Sequence, residues 1–138
     1  MRQATLTIAI ETRGRSLYEF TDKVLRWLAD EKFAVGLLTV YCRHTSASLL
    51  IQENADPDVQ TDLQNYFEKI APESDRYIHS AEGPDDMPAH LRAALTQTSL
   101  SIPIVEGRPV LGTWQGTYLF EHRARPHTRE VVLHVIGA

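Results

Sequence analysis

The chain has 138 residues, 43% of them hydrophobic and 23% charged, with seven glycines and seven prolines. That is the composition of one globular domain, and it excludes a disordered chain, a collagen-like repeat and a coiled coil. Fourteen Lys and Arg against 18 Asp and Glu leave a formal charge of −4, so no cationic field draws the chain to nucleic acid or to anionic lipid.

Taken in chain order, residues 4–11 alternate, with Leu6, Ile8 and Ile10 on one face and Thr5, Thr7 and Glu11 opposite, which predicts a half-buried strand. Ser16 followed by Glu19 reads as a capping box that opens a helix, whose apolar face is Leu17, Phe20, Val24, Trp27 and Leu28. Phe33 to Cys42 is apolar, rich in β-branched residues and without helical period, so it is expected to be a strand ending before Arg43-His44-Thr45. Ser46 to Gln52 continues as a second strand after a bend. Asp56 and Pro57 make a cap and first-position pair for a helix over 57–70, ended by Pro72.

Residues 73–87 have loop composition, and Asp86 is expected to cap a short third helix that carries His90 in its first turn. The last third is β: Leu100–Val105, a Glu106-Gly107 turn, Pro109–Trp114, Thr117–Arg123 and Arg129–Ile136. Neither face of the final strand reads as solvated, so a second layer or a second subunit is expected to cover it. The predicted fold is α+β, a two-layer mixed β-sandwich of about seven strands with three helices, in a single domain over 1–138.

Charge is uneven along this chain. Ten acids lie between Glu53 and Asp86 against Lys69 and Arg76, so this stretch is either a solvated acidic face or a cation site. Cys42 is the only cysteine, which excludes an intrachain disulfide and a thiolate-rich metal site. With no signal-like or membrane-length apolar run, a cytoplasmic protein is expected.

No metalloprotease, P-loop, nucleophile-elbow or dinucleotide motif is present. The densest group of potential ligands is His79, Glu82, Asp85, Asp86 and His90, in loop and helix start, where imidazoles and carboxylates suit Zn²⁺, Mn²⁺ or Fe²⁺ and carboxylates alone suit Mg²⁺. An acidic surface loop explains the same residues. In His44-Thr-Ser-Ala-Ser48, Ser46 stands where a nucleophile with a base would sit, although hydrogen bonds closing a bend are the commoner role. His44 is open to three readings: ligand, general base or core imidazole. His122 and His127, in an Arg-rich stretch, are expected to face solvent or phosphate.

Three segments in order, His44-Thr-Ser-Ala-Ser-Leu-Leu-Ile-Gln-Glu-Asn-Ala-Asp-Pro57, Glu82-Gly-Pro-Asp-Asp-Met-Pro-Ala-His90 and Gly112-Thr-Trp-Gln-Gly116 with Glu121-His122, resemble the YjbQ family over essentially the whole chain. The resemblance implies an α+β sandwich assembled as a homotrimer, with pockets near subunit boundaries. It also implies the activity of a secondary thiamin-phosphate synthase, which joins an aminopyrimidine methyl diphosphate to a thiazole phosphate with Mg²⁺ and releases pyrophosphate. On this sequence the implied site residues are His44, Thr45, Ser46, Asn54, Asp56, His79, Asp85, Asp86, His90, Trp114, Gln115 and Glu121.

Some relatives carry His-x-His before the third helix, and here the first position is Pro88, which leaves His44, His79 and His90 as the expected metal set, holding Zn²⁺ or a similar ion. Under the synthase reading Arg43 and Arg123 meet phosphate, Asp85 and Asp86 bind Mg²⁺ or orient a ligating histidine, and Trp114 either stacks on a heteroaromatic ring or packs in the core. The alternatives are a metal-dependent hydrolase, with Glu121 or Asp86 as base, and a non-catalytic binder of a phosphorylated metabolite.

Overall fold

A computed structural model describes all 138 residues. Eight strands and three helices follow one another as β1 (Arg2–Thr12), β2 (Ser16–Glu19), α1 (Thr21–Glu31), β3 (Gly36–Cys42), β4 (Ala47–Glu53), α2 (Pro57–Ile70), α3 (Asp86–Leu95), β5 (Ser99–Val105), β6 (Arg108–Pro109), β7 (Gln115–Glu121) and β8 (His127–Gly137). The strands form a five-stranded sheet in the order β1-β8-β3-β5-β6 and a three-stranded sheet in the order β2-β7-β4. The fold is α+β, as expected, and every strand pairing in both sheets is antiparallel.

The main core lies on the inner face of the larger sheet. Alternate residues Leu38 and Val40, Leu100, Ile102 and Ile104, and Val131, Leu133 and Val135 meet Leu49 and Leu119 from the smaller sheet and Val24 and Leu28 from α1. A second cluster, Leu17, Phe67, Tyr118 and Phe120, seats α2 on the other face of the smaller sheet. The outer face of the larger sheet is left without a covering layer in the single chain, and there Leu37 and Tyr41 are exposed.

Two expectations are corrected. Ser16 to Glu19 is a strand paired with Tyr118–Glu121, because strand bonds to β7 satisfy its backbone groups and Leu17 belongs to the α2 cluster instead of the α1 stripe. Helix α1 therefore starts at Thr21 with Phe20 at the cap position and no side-chain cap. The segment expected as strand 109–114 pairs only at Arg108 and Pro109 and then leaves the sheet. The second helix is as read: Asp56 accepts a hydrogen bond from the Asp58 amide at 2.9 Å, and Pro57 occupies the first turn. No helix is long and apolar enough to cross a membrane.

β8 passes against β3 with glycines at the crossing, and a Cβ built on Gly137 would lie 2.0 Å from the Val35 carbonyl oxygen and 2.6 Å from the Gly36 Cα. The next residue, Ala138, accepts the Ala34 amide at 2.8 Å, so this contact also ties down the C-terminus. The substitution Gly137→Ala is expected to lower the unfolding free energy by at least about 2 kcal/mol, read from a urea midpoint shifted at unchanged slope.

Candidate functional site

The site is assembled at the end of the smaller sheet where Ala47 pairs with Glu121. Glu121 is fully buried on β7 and Arg129 is 4% exposed on β8, so this pair joins the two sheets. Arg129 donates to both carboxylate oxygens, through Nε to Oε1 at 2.8 Å and through Nη2 to Oε2. Thr12 on β1 adds a hydroxyl at 2.6 Å, and the amides of His122 and Arg123 complete the shell. Burial pushes the Glu121 carboxyl up, but these donors outweigh it and hold the group below the usual carboxylate range. With both oxygens fully engaged, Glu121 is a structural anion and not the general base foreseen for it.

Two residues on, Arg123 reaches α3. Its Nε donates to Asp85 Oδ2 at 3.0 Å, its Nη1 to Asp86 Oδ1 at 2.7 Å and its Nη2 to the Glu82 carbonyl at 3.1 Å. All three nitrogens are occupied, so Arg123 positions the acids of the loop, whereas a phosphate contact had been expected. Asp85, rather than Asp86, holds the cap position of α3, and it makes no side-chain cap bond because its carboxylate faces Arg123 and the Ala124 amide.

Asp86 is 1% exposed, and its second oxygen gathers the histidines. His79 Nε2 lies 2.6 Å from Oδ2 and His90 Nε2 lies 3.0 Å from the same atom. Burial pushes the Asp86 carboxyl up, but hydrogen bonds from both rings and the charges of His90 and Arg123 bring it below its ordinary value. His79, Asp86 and His90 each present one ligand atom, all within 4.8 Å of one another. Pro88 is buried in the same turn.

The other ring nitrogen of His90 narrows what this group can be. Nδ1 is 2.8 Å from the Thr45 carbonyl, which can only accept, so Nδ1 carries the proton. In the neutral ring Nε2 is then a lone pair aimed at a carboxylate oxygen. Only a second proton or a cation between them makes that approach favourable, and a backbone carbonyl fixing one nitrogen while the other faces the centre is the usual support of a metal-binding histidine.

His44 does not join this group. Its Nε2 accepts the Glu130 amide at 2.8 Å, and Asp86 takes the third position that had been assigned to it. Ser46 is 8% exposed and its Oγ accepts from Arg129 at 3.0 Å, so it faces a guanidinium where a nucleophile would need a base. Arg43, His44, Thr45 and His90 line a groove of about 590 Å³, closed on its apolar side by Tyr41, Ala47, Ala93 and Ala94. Cys42 also borders it, but burial pushes its thiol pKa up.

Asn54, Trp114 and Gln115 are elsewhere. The register places Gln115 opposite Glu53, six residues along β4 from Ala47 and about 20 Å from the Glu121 end. Trp114 is 61% exposed and so is not core, contrary to one expectation. Its carbonyl accepts the Asn54 amide, and Gln115 closes the Gly112 turn.

Arg129, the organising residue, was not among the expected site residues, although it sits on the same inward face as Val131, Leu133 and Val135 and a charge there is a signal. His122 was expected at the surface and is 1% exposed, with Nε2 at 2.8 Å from Ser48.

A profile of the family described as "UPF0047 protein YjbQ-like" matches residues 6–138. The chain belongs to the YjbQ (UPF0047) family. It is 57% identical to a UPF0047 protein of Synechocystis over 137 residues, 99% of this chain and 93% of that protein. It is 41% identical to YjbQ of Escherichia coli O157:H7 over 136 residues, 98% and 97% of the two chains. The crystal structure of a YjbQ/UPF0047-family protein from Clostridium acetobutylicum superposes with a TM-score of 0.88 at 33% identity, covering 95% of this chain and 99% of that one. A YjbQ-like protein of Sulfolobus solfataricus reaches the same TM-score at 20% identity over 99% and 100% of the chains, which shows shared fold.

Burial and the nearby charges of Arg92 and Arg129 lower the His122 pKa to about 3. Because the unfolded chain takes up a proton near 6.5 while the folded one does not, stability is expected to fall as pH drops from about 6.5 toward 3, by on the order of 4 kcal/mol for this group. Urea unfolding at stepped pH checks this, and His122→Gln, which cannot titrate, should flatten that part of the profile.

Proposed function

We propose that this YjbQ-family chain is a metal-dependent enzyme that acts on a small phosphorylated or otherwise anionic molecule held in the groove beside His90. The observation that carries the reading is the His90 ring, whose proton is fixed on Nδ1 by the Thr45 carbonyl while Nε2 faces Asp86 and His79. His79, Asp86 and His90 would hold the ion. Two imidazoles and one carboxylate suit Zn²⁺, Mn²⁺ or Fe²⁺ better than Mg²⁺, and three protein ligands leave positions for water and substrate.

When bound, such an ion supplies Lewis-acid activation of water or of a substrate oxygen. The chain's own residues orient the centre: Thr45 sets the His90 ring, Arg123 holds Asp86, and Asp85 in turn holds Arg123. Hydrolysis of a single substrate fits this arrangement better than condensation with loss of pyrophosphate. The condensation implied by the family resemblance calls for arginines on the pyrophosphate, and Arg123 already spends a bond from each of its three nitrogens on Asp85, Asp86 and the Glu82 carbonyl.

The resemblance also implies a homotrimer, and two features support assembly. The outer face of the larger sheet carries Leu37, Thr39 and Tyr41 beside half-buried Val132, His134 and Ile136, with no charge among them. In addition, Asn54, Trp114 and Gln115 lie too far from His90 to act with it in one chain, so a neighbouring copy would have to supply them.

Purified protein is expected to bind one Zn²⁺ or Mn²⁺ per chain, with His90→Ala and Asp86→Asn each weakening binding by at least about tenfold in equilibrium dialysis without loss of the folding transition. In a substrate screen, turnover of a single phosphorylated substrate that a chelator abolishes supports the hydrolase. Product that forms only from two substrates with Mg²⁺ moves the assignment to the synthase, and binding without turnover moves it to a carrier or sensor.

A further inference from the structure

His44 sits between two groups that both donate. The Glu130 amide donates to its Nε2 at 2.8 Å, which requires a lone pair there, so the neutral ring carries its proton on Nδ1. Arg129 Nη1 lies 3.5 Å from that same Nδ1. The reverse tautomer would set two N–H groups against each other at 2.8 Å, and an imidazolium would do the same while adding a charge beside Arg129. The stable arrangement thus has Nδ1–H and Nη1–H converging without an acceptor between them. Arg129 is 4% exposed and its other donors are all used, on Glu121 and Ser46, so the orientation of Nη1 is fixed by the buried pair.

The nearby acids do not supply the acceptor. Both Glu121 oxygens are bonded, and the Glu130 carboxylate pairs with Arg43 at 2.9 Å on the surface. His44 and Arg43 line the groove that His90 also lines. An exposed ion pair such as Arg43–Glu130 is worth little and is readily exchanged for an anionic ligand.

We propose that His44 Nδ1–H and Arg129 Nη1–H form an oxyanion-binding subsite, with Arg43 at its rim, that anchors a phosphate or carboxylate group of the molecule bound in the groove. It differs from the assignment suggested by the sequence, in which Arg43 and Arg123 met phosphate and His44 met metal. The subsite places the anionic end of the ligand at His44 and directs its other end toward His90, and this polarity rests on the groove being the substrate site.

The test uses the whole chain with labelled histidine nitrogens, titrated at pH 7 and constant ionic strength with inorganic phosphate and, separately, acetate. Long-range nitrogen–proton spectra should show His44 as the Nδ1–H tautomer, with its signals shifting saturably. A response to phosphate alone identifies a phosphoryl group, and a response to acetate as well identifies a general oxyanion subsite. His44→Leu should weaken phosphate binding by about tenfold or more, the loss expected for one hydrogen bond to a charged group. His44→Gln offers an acceptor to Glu130 and a donor toward Arg129 and should stay within about threefold of the parent protein.

The proposal is overturned if His44 is the Nε2–H tautomer, if its signals ignore both anions, or if His44→Leu binds phosphate as well as the parent. Zn²⁺ dialysis on the same samples separates the two readings, because His44→Leu should hold the metal normally. A parent protein that binds phosphate at His44 but no metal keeps this subsite and sinks the metal centre.

Discussion

The buried pair of Glu121 and Arg129 is the interaction on which the site depends. It spans the two sheets where no hydrogen-bonded ladder joins them, and Thr12 brings a third strand to the same carboxylate. Removing one partner of such a pair leaves an uncompensated buried charge, at a cost of about 3–5 kcal/mol, so the geometry around it is held firmly. From this point Arg123 extends to the loop before α3, and Arg129 extends to Ser46 and His44. One fixed anion therefore orients both halves of the candidate site.

The acidic stretch that gives the chain its charge asymmetry divides into two kinds of residue. Most of its carboxylates are solvated on α2 and the following loop. Asp85 and Asp86 are different because Arg123 compensates them, and that lets Asp86 be buried at the start of a helix with a free oxygen for two imidazoles. The solvated acidic face expected from the sequence thus describes most of the segment, while Asp85 and Asp86 form a separate, internally compensated group.

Helix α3 links the parts mechanically. It carries Asp86 and His90 one turn apart on a common face, so that both reach one centre. Its buried face also holds Arg92, 1% exposed and bonded to the Ala71 carbonyl, which fixes the helix against the end of α2. The groove runs along the small side chains Ala93 and Ala94 of the same helix. Asp86, His90 and the groove wall are therefore parts of one rigid element.

The sequence was informative wherever the physics is local. Asp56-Pro57 announced a helix start because a cap and a fixed φ act within three residues, and alternation revealed β1 because one of its faces is buried. It misled at Ser16–Glu19, whose capping-box spelling lost to strand pairing with β7, and at 110–114, where no partner strand was available. His79 and His90 could be picked out as neighbours of Asp86 from their company in the chain.

What residue order alone determined is the fold class, the helix after Asp56, a short helix carrying His90, and the acidic, histidine-bearing segment as the place to look. Only the tertiary structure decided that Asp86, and not His44, stands beside His79 and His90, that Arg123 is an internal brace, and that Trp114 lies far from His90. Those outcomes depend on which donor meets which acceptor across strands distant in sequence. Such pairing is set by sheet register and by the tautomer each neighbour enforces, and neither is encoded in any local pattern of residues.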